Sequence, residues 1–234
     1  MNVLMRMSSS APAPAGGFPA WLLPALASLI PLVAAHLAWW LSMRDGLVPV
    51  CNPYVEGCVS ISRAARHGLG NHLFRLAMLP CATLQVALWW VAAQWLQRRT
   101  GSPARLLPWL GLMAGVSLAL YATFLGTEGD AYRMLRRYGV TVYFGATFLA
   151  LMAMLRRLSR QWPDAPVCKP LQCIALGMLA MGVASVIASA VVGDPDARDR
   201  WENRLEWHLG LWLTAMFAVI AWHWWRERLR VVLV

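Results

Sequence analysis

Charge is scarce in this sequence. Only 14% of its 234 residues are charged, whereas 59% are apolar. A soluble domain carries about a quarter charged residues, so this chain cannot dress an ordinary water-facing exterior. Lysine is nearly missing: Lys169 stands alone, and every other basic residue is Arg. Acids are also few, 11 against 21 bases, which leaves a formal charge of +10. That excess does not point to nucleic acid. The Arg residues sit at the ends of apolar runs, where they anchor helices at a membrane interface. The alternation over about ten residues that marks a transmembrane barrel is absent. There is no Gly-x-Ser-x-Gly elbow and no His-Glu-x-x-His, so neither an ordinary serine hydrolase nor a zincin is indicated. No convincing repeat is visible, no cofactor is called for, and no metal site is assigned.

What the sequence does contain is six long apolar runs, near 18–41, 76–96, 106–125, 140–155, 171–192 and 205–225. Most are about 20 residues long, enough to cross a hydrocarbon core of roughly 30 Å. Backbone groups in lipid must be satisfied within the segment, so each run is expected as a helix. The expected fold class is all-α: a polytopic membrane protein, a bundle of six transmembrane helices. The Ser/Pro/Ala/Gly-rich segment 1–17 reads as a flexible tail. The membrane domain covers 18–225, with an extracytoplasmic loop at 42–75, and 226–234 forms a short second tail. The run at 18–41 is too long for a signal peptide and no cleavage motif follows it, so it reads as a retained helix.

Six spans put both termini on one side. Lys and Arg divide almost evenly between the two sides, but the acids do not. Asp45, Glu56, Glu128, Asp130, Asp194, Asp196, Asp199 and Glu202 all fall in the loops opposite the termini. The purely basic loops mark the cytoplasmic side, so both termini are expected in the cytoplasm. The Arg-rich, Ala-rich and Trp-rich composition suggests a bacterial plasma membrane; in a eukaryote the expectation is the endoplasmic reticulum or Golgi. Cys51 and Cys58 lie in the first outward loop, spaced to close a small ring. A disulfide fits an oxidising compartment; two free thiols are the alternative. Gly111-x-x-x-Gly115 suits close helix approach, as do the small residues at 184–189. His223, between two Trp residues, is expected to reach for the interface.

Polar residues near a bilayer are costly and become site candidates. They gather on the outward side. His67, Asn71, His72 and Arg75 lead into the second span, Glu128, Tyr132 and Arg133 follow the third, and Glu206 and His208 begin the sixth. The loop CNPYVEGCVSISRAARHGLGNHLFR adds Ser60, Ser62, Arg63 and Arg66. Its Pro and Gly content reads as an ordered loop rather than one helix. Arg side chains and backbone amides there could hold a lipid phosphate. A structural Arg–Glu pair is the plainer alternative.

The run from Pro53 to Arg75 resembles the first lumenal loop of the Frag/DRAM/Sfk membrane proteins. The carriers are Cys58-Val59-Ser60-Ile61-Ser62-Arg63-Ala64 and then Phe74-Arg75. LGTEGDAYRMLRRYGVTVYF resembles that family's second lumenal loop, and Glu206-Trp207 its Glu-aromatic pair in the last helix. The sequence lacks the Pro-Pro-Glu element of the DRAM branch and is closer to the branch that remodels GPI anchors. The resemblance implies a six-helix protein that works on a lipid at the lumenal face; in a bacterium the substrate would be another phospholipid or glycolipid.

Three readings follow. The first is a lipid-remodelling enzyme, in the manner of an acyltransferase. His67, His72 or His208 would be its base, Glu206 a further catalytic group, and Arg63 or Arg75 would hold a phosphate. Ser60, Ser62, Asn71, Glu128, Tyr132 and Arg133 would complete substrate binding. The second is a non-catalytic lipid-binding, sensing or scaffolding protein. The third is a metal- or haem-binding protein using His36, His72, His208 and Glu206. In all of them the protein is integral to the membrane. The first two take a membrane lipid as partner, and none involves nucleic acid. The sequence does not indicate an oligomeric state.

Overall fold

The computed structural model describes residues 3–6 and 17–233. Of the described residues 77% are helical, in seven helices. Six are long and apolar enough to span a membrane: α1 (Leu22–Arg44), α3 (Gly68–Thr100), α4 (Leu106–Phe124), α5 (Asp130–Gln161), α6 (Cys168–Val191) and α7 (Pro195–Arg226). The seventh, α2 (Ile61–Ala64), is a single turn in loop one. Integral membrane character follows from the six apolar helices.

The helices outrun the apolar stretches that announce them. α3 begins at Gly68, so residues 68–75 of the expected loop 42–75 are already helical. α5 starts at Asp130 and α7 at Pro195, both inside polar sequence. Hydropathy registers the part of a helix that meets lipid, whereas hydrogen bonding carries the helix on into water. The start of α7 is chemically clear, with Asp194 accepting from the Ala197 amide at 2.9 Å and Pro195 in the first turn.

The six long helices run up and down in sequence order and close into a ring, with α7 returning against α1. α3 and α4 approach closely where Gly111 faces Trp89 and Gly115 faces Val86 and the Ala82 carbonyl; a methyl at either glycine would collide. The α1 face turned inward is built from Ala27, Ala34, Ala35 and Ala38. Small residues allow this approach where lipid supplies no hydrophobic drive between helices. Tryptophan divides between two roles. Trp40, Trp201 and Trp225 are exposed, as an interfacial belt predicts, but Trp89, Trp95, Trp207 and Trp224 are fully buried.

At one end of the ring β1 (Val3–Arg6) and β2 (Phe18–Pro19) both pair antiparallel with β3 (Arg230–Leu233), in the order β1-β3-β2. The two ends of the chain therefore share one end of the bundle. Most of the segment read as a flexible tail, residues 7–16, lies outside the described residues. At this sheet end a polar knot forms around Glu227. Trp95 donates to its carboxylate at 3.0 Å, Arg99 binds it at 2.5 Å, and His223 stands 3.4 Å away. Burial works against ionisation of Glu227, but the His223 and Trp95 contacts and the Arg99 charge outweigh it and hold the carboxyl below its ordinary value. His223 is buried in this knot rather than reaching for the interface.

Candidate functional site

At the opposite end, loop one folds down over the ring and is bound chiefly to α7. Cys51 and Cys58 are disulfide-bonded, with Cα atoms 6.6 Å apart. Within the closed loop Asn52 receives Tyr54 on its side chain and offers its amide to Glu56. Gly57 then turns with φ +68°, against the Arg200 carbonyl. No residue with a Cβ fits that contact.

The α7 face opposite is a row of donors and acceptors. Asn203 donates to the Gly57 carbonyl at 2.8 Å, Trp207 to the Val59 carbonyl at 2.9 Å, and Arg204 to the Glu56 carbonyl at 3.3 Å. His208 Nε2 lies 3.3 Å from the Tyr54 carbonyl oxygen. Spacings of three and four residues put these groups on one helical face. Below the loop, Tyr54 hydroxyl and His36 Nε2 are 2.8 Å apart, and Trp207 packs on both rings. Burial raises the Tyr54 phenol above its ordinary pKa.

α2 completes the fold-down. Ser60 caps it by accepting from the Arg63 amide at 3.1 Å. The Glu206 carboxylate accepts from the Ser62 amide at 3.3 Å. It thus sits against the free backbone donors of α2, where the first turn of a helix leaves N–H groups unpaired. Arg63 forms an ion pair with Asp199 and also donates to Asn203 at 3.2 Å.

Loops one and two are joined by Asn71. Its amide is buried and donates both to the Ala65 carbonyl at 2.9 Å and to the Leu125 carbonyl at 3.0 Å. Gly126, at φ +87°, lies against the Arg66 carbonyl. Arg136 reaches back from α5 to the carbonyls of Phe124 and Thr127.

Arg66 is less well paired; Arg204 also leaves its Nε without a partner, but it donates to the Glu56 carbonyl and stacks on Trp201. The buried Nε of Arg66 has no hydrogen-bond partner, and the guanidinium forms no ion pair among the described residues. It lies within electrostatic reach of Arg136, Arg63, Tyr121 and Glu206. Burial first, and then the two neighbouring Arg charges, lower its pKa from the ordinary arginine value.

Beneath this cluster is a narrow cavity within the ring, of about 70 Å³. Its wall is mostly apolar, with Phe74, Met78, Leu118 and Phe144 among the lining residues, and Pro31 interrupts α1 beside it. His36, Tyr54, Tyr121, Tyr143 and Glu206 supply its polar atoms, and Glu206 is the one carboxylate on its wall. An apolar hole with a few convergent polar groups is the usual form of a small-molecule site.

The structure divides the residues that the sequence singled out. Ser60, Ser62, Arg63 and Glu206 come together around α2. Asn71 is a structural clamp and His208 sits on the rim against Tyr54. His67 and His72 are exposed, Arg75 is half-buried, and among the described residues no side-chain hydrogen bond or ion pair joins any of the three to the cluster. Glu128, Tyr132 and Arg133 are exposed at the start of α5, where Tyr132 stacks on Phe124 and Arg133 pairs with Asp130 at 3.2 Å. The four proposed haem or metal ligands are not gathered, and no trio of His, Cys, Asp or Glu side chains converges among the described residues. Arg136, Tyr121 and Tyr54 escape sequence reasoning. Arg136 in particular looks like an interface anchor in the run Arg136-Arg137. The chain matches no protein-family model, no curated protein and no solved structure.

Proposed function

We propose that this protein binds an anionic lipid of the extracytoplasmic leaflet. The lipid's headgroup charge sits at Arg66, between Arg63 and Arg136, and an acyl chain occupies the cavity beneath. One observation carries the reading: Arg66 holds a buried guanidinium nitrogen with no partner among the described residues, within electrostatic reach of Tyr121 and Glu206 on the cavity wall. A buried donor left without a partner is costly. Arg63 is committed to Asp199 and Arg136 to backbone carbonyls, so Arg66 is the cation left to bind an anion. Its planar donor fork suits a phosphate. The resemblance of loop one to the Frag/DRAM/Sfk proteins agrees in kind, since it implies a lipid handled at this face.

The geometry favours binding over acyl transfer. The Ser60 and Ser62 hydroxyls lie 3.1 Å from each other, and neither is bonded to a histidine nitrogen. Remodelling chemistry is the second reading, and Glu206 favours it. A carboxylate fixed on the cavity wall could take a proton from a lipid hydroxyl.

Native mass spectrometry of the protein released from mixed phosphatidylglycerol and phosphatidylcholine membranes tests the first reading. Wild type is expected to retain phosphatidylglycerol, and Arg66→Ala to lose at least tenfold of it. Equal retention by both proteins, or no retained lipid, sinks the proposal. In the same extracts, a mass change in the retained lipid that disappears in Glu206→Gln would replace binding by remodelling.

A further inference from the structure

We infer that the lipid reaches this cavity sideways from the bilayer, through a cleft between α5 and α6 that is closed on its inner side by Phe144. The inference rests on the lipid-binding reading and adds a route to it. Every buried residue of α6 lies in its first half: Cys168, Leu171, Ile174, Ala175 and Met178. From Leu179 to Val191 none is buried. The contact between α5 and α6 is the sparsest between neighbours in the ring. The two helices are tied near the sheet end, where Gln172 donates to Ser159 at 3.2 Å. Farther along, α6 leans on α7 instead, with Gly177 against the Trp212 ring and Ser189 donating to Glu202 at 3.2 Å.

The gap left beside α5 has a volume of about 410 Å³. Every residue lining it is apolar, among them Phe148, Leu179, Val183 and Ile187. Gly145 and Gly182 also face it, and a methyl added to either would meet nothing within 4 Å. A cleft at this depth, with no polar side chain in its lining to hold water, is filled by what surrounds it, which is acyl chain.

The cleft and the inner cavity have a common wall. Phe144 lines both, and on α7 Leu209 faces the cleft while its neighbours Gly210 and Leu211 face the cavity. Phe144 is half-buried. A change in the rotamer of this one aromatic side chain would join the two spaces, and rotamer changes are fast compared with helix movements. An acyl chain already lying in the cleft can then enter the cavity while its headgroup stays at the level of Arg66. This route spares the headgroup a passage through loop one, which α7 holds shut.

The test uses the full chain in nanodiscs that contain a phosphatidylglycerol with a photoreactive diazirine halfway along one acyl chain. Irradiation and peptide mapping are expected to give adducts on residues 144–148 and 178–187. These should exceed, at least fivefold, adducts on the exposed α1 stripe Leu29, Val33 and Leu37, which meets lipid without a cleft. Gly182→Trp fills the cleft and should bring its adducts down to the α1 level while lowering retained lipid. Gly145→Leu is expected to do the same from the other wall, so one misfolded variant does not leave the outcome open. Phe144→Ala should raise adducts on cavity residues such as Met78 and Leu118. Cleft adducts no higher than those on α1, or cross-links to a second protein in place of lipid, overturn the inference. If the cleft variants behave as stated while Arg66→Ala still retains lipid, the route stands and the headgroup site falls. If Arg66→Ala loses lipid while both filled-cleft variants load normally, the route falls alone.

Discussion

Asn203 both donates and accepts at the junction of α7 with loop one. Its amide nitrogen serves the Gly57 carbonyl and its oxygen receives Arg63. It is 2% exposed, so removing its side chain leaves buried groups unpaired on both sides. Asn203→Ala is expected to cost about 1–3 kcal/mol. The loss should appear as a lower thermal unfolding midpoint and faster proteolysis of loop one, with the spans intact. The sequence marks Asn203 as a polar residue near the sixth span but cannot name its partners, which lie some 146 positions away along the chain. The same holds for Arg66 and Arg136. Each reads as one more basic residue at a helix end, and what separates them is whether the folded chain supplies an acceptor. Arg136 finds two carbonyls; among the described residues Arg66 finds neither an acceptor nor a counterion of its own. Asn71 reads as a possible substrate ligand, yet both of its donor bonds are spent on holding two loops together.

Loop one is short of internal structure and long on attachments. Apart from the one turn of α2 and the Cys51–Cys58 ring, its shape comes from α7. The ring closes over a sequence separation of 7. A cross-link over so short a loop is worth about 2–3 kcal/mol in the chain-entropy account. Dithiothreitol is therefore expected to lower the thermal midpoint, and Cys51→Ser should do so without dithiothreitol. If reduction leaves both the midpoint and the proteolysis of loop one unchanged, the ring contributes nothing to holding Tyr54 and Gly57 in place. The spacing of the two cysteines was enough to raise this pairing. The extents of α3, α5 and α7 were not legible in the same way. Their polar first turns are set by caps and by contacts with the loops, neither of which leaves a hydropathy signal. Gly111-x-x-x-Gly115 was legible as a packing element, although its partner, Trp89, was not.

At the scale of the whole molecule, six spans are what the apolar runs lead one to expect, since lipid allows few other solutions. Their circular order, and the weak seam between α5 and α6, depend on which faces pack, and that information is spread too thinly along Ala-rich and Leu-rich helices to be read by eye. Sidedness rests on where the acids lie. We expect a green fluorescent protein fused after Val234 to fluoresce, and alkaline phosphatase at the same place to remain inactive. The reverse pair of results would place loop one, and with it the proposed lipid site, in the cytoplasm.

The small sheet at the other end concerns the order of synthesis. β1 precedes the first span and β3 follows the last. Residues 3–6 and 18–19 therefore have no strand partner while the ribosome makes some two hundred further residues and six segments enter the membrane. Only when Arg230–Leu233 emerges can the sheet form, and only if an even number of segments has crossed, so that both ends wait on one side. Its formation thus marks a chain that has inserted with the right parity.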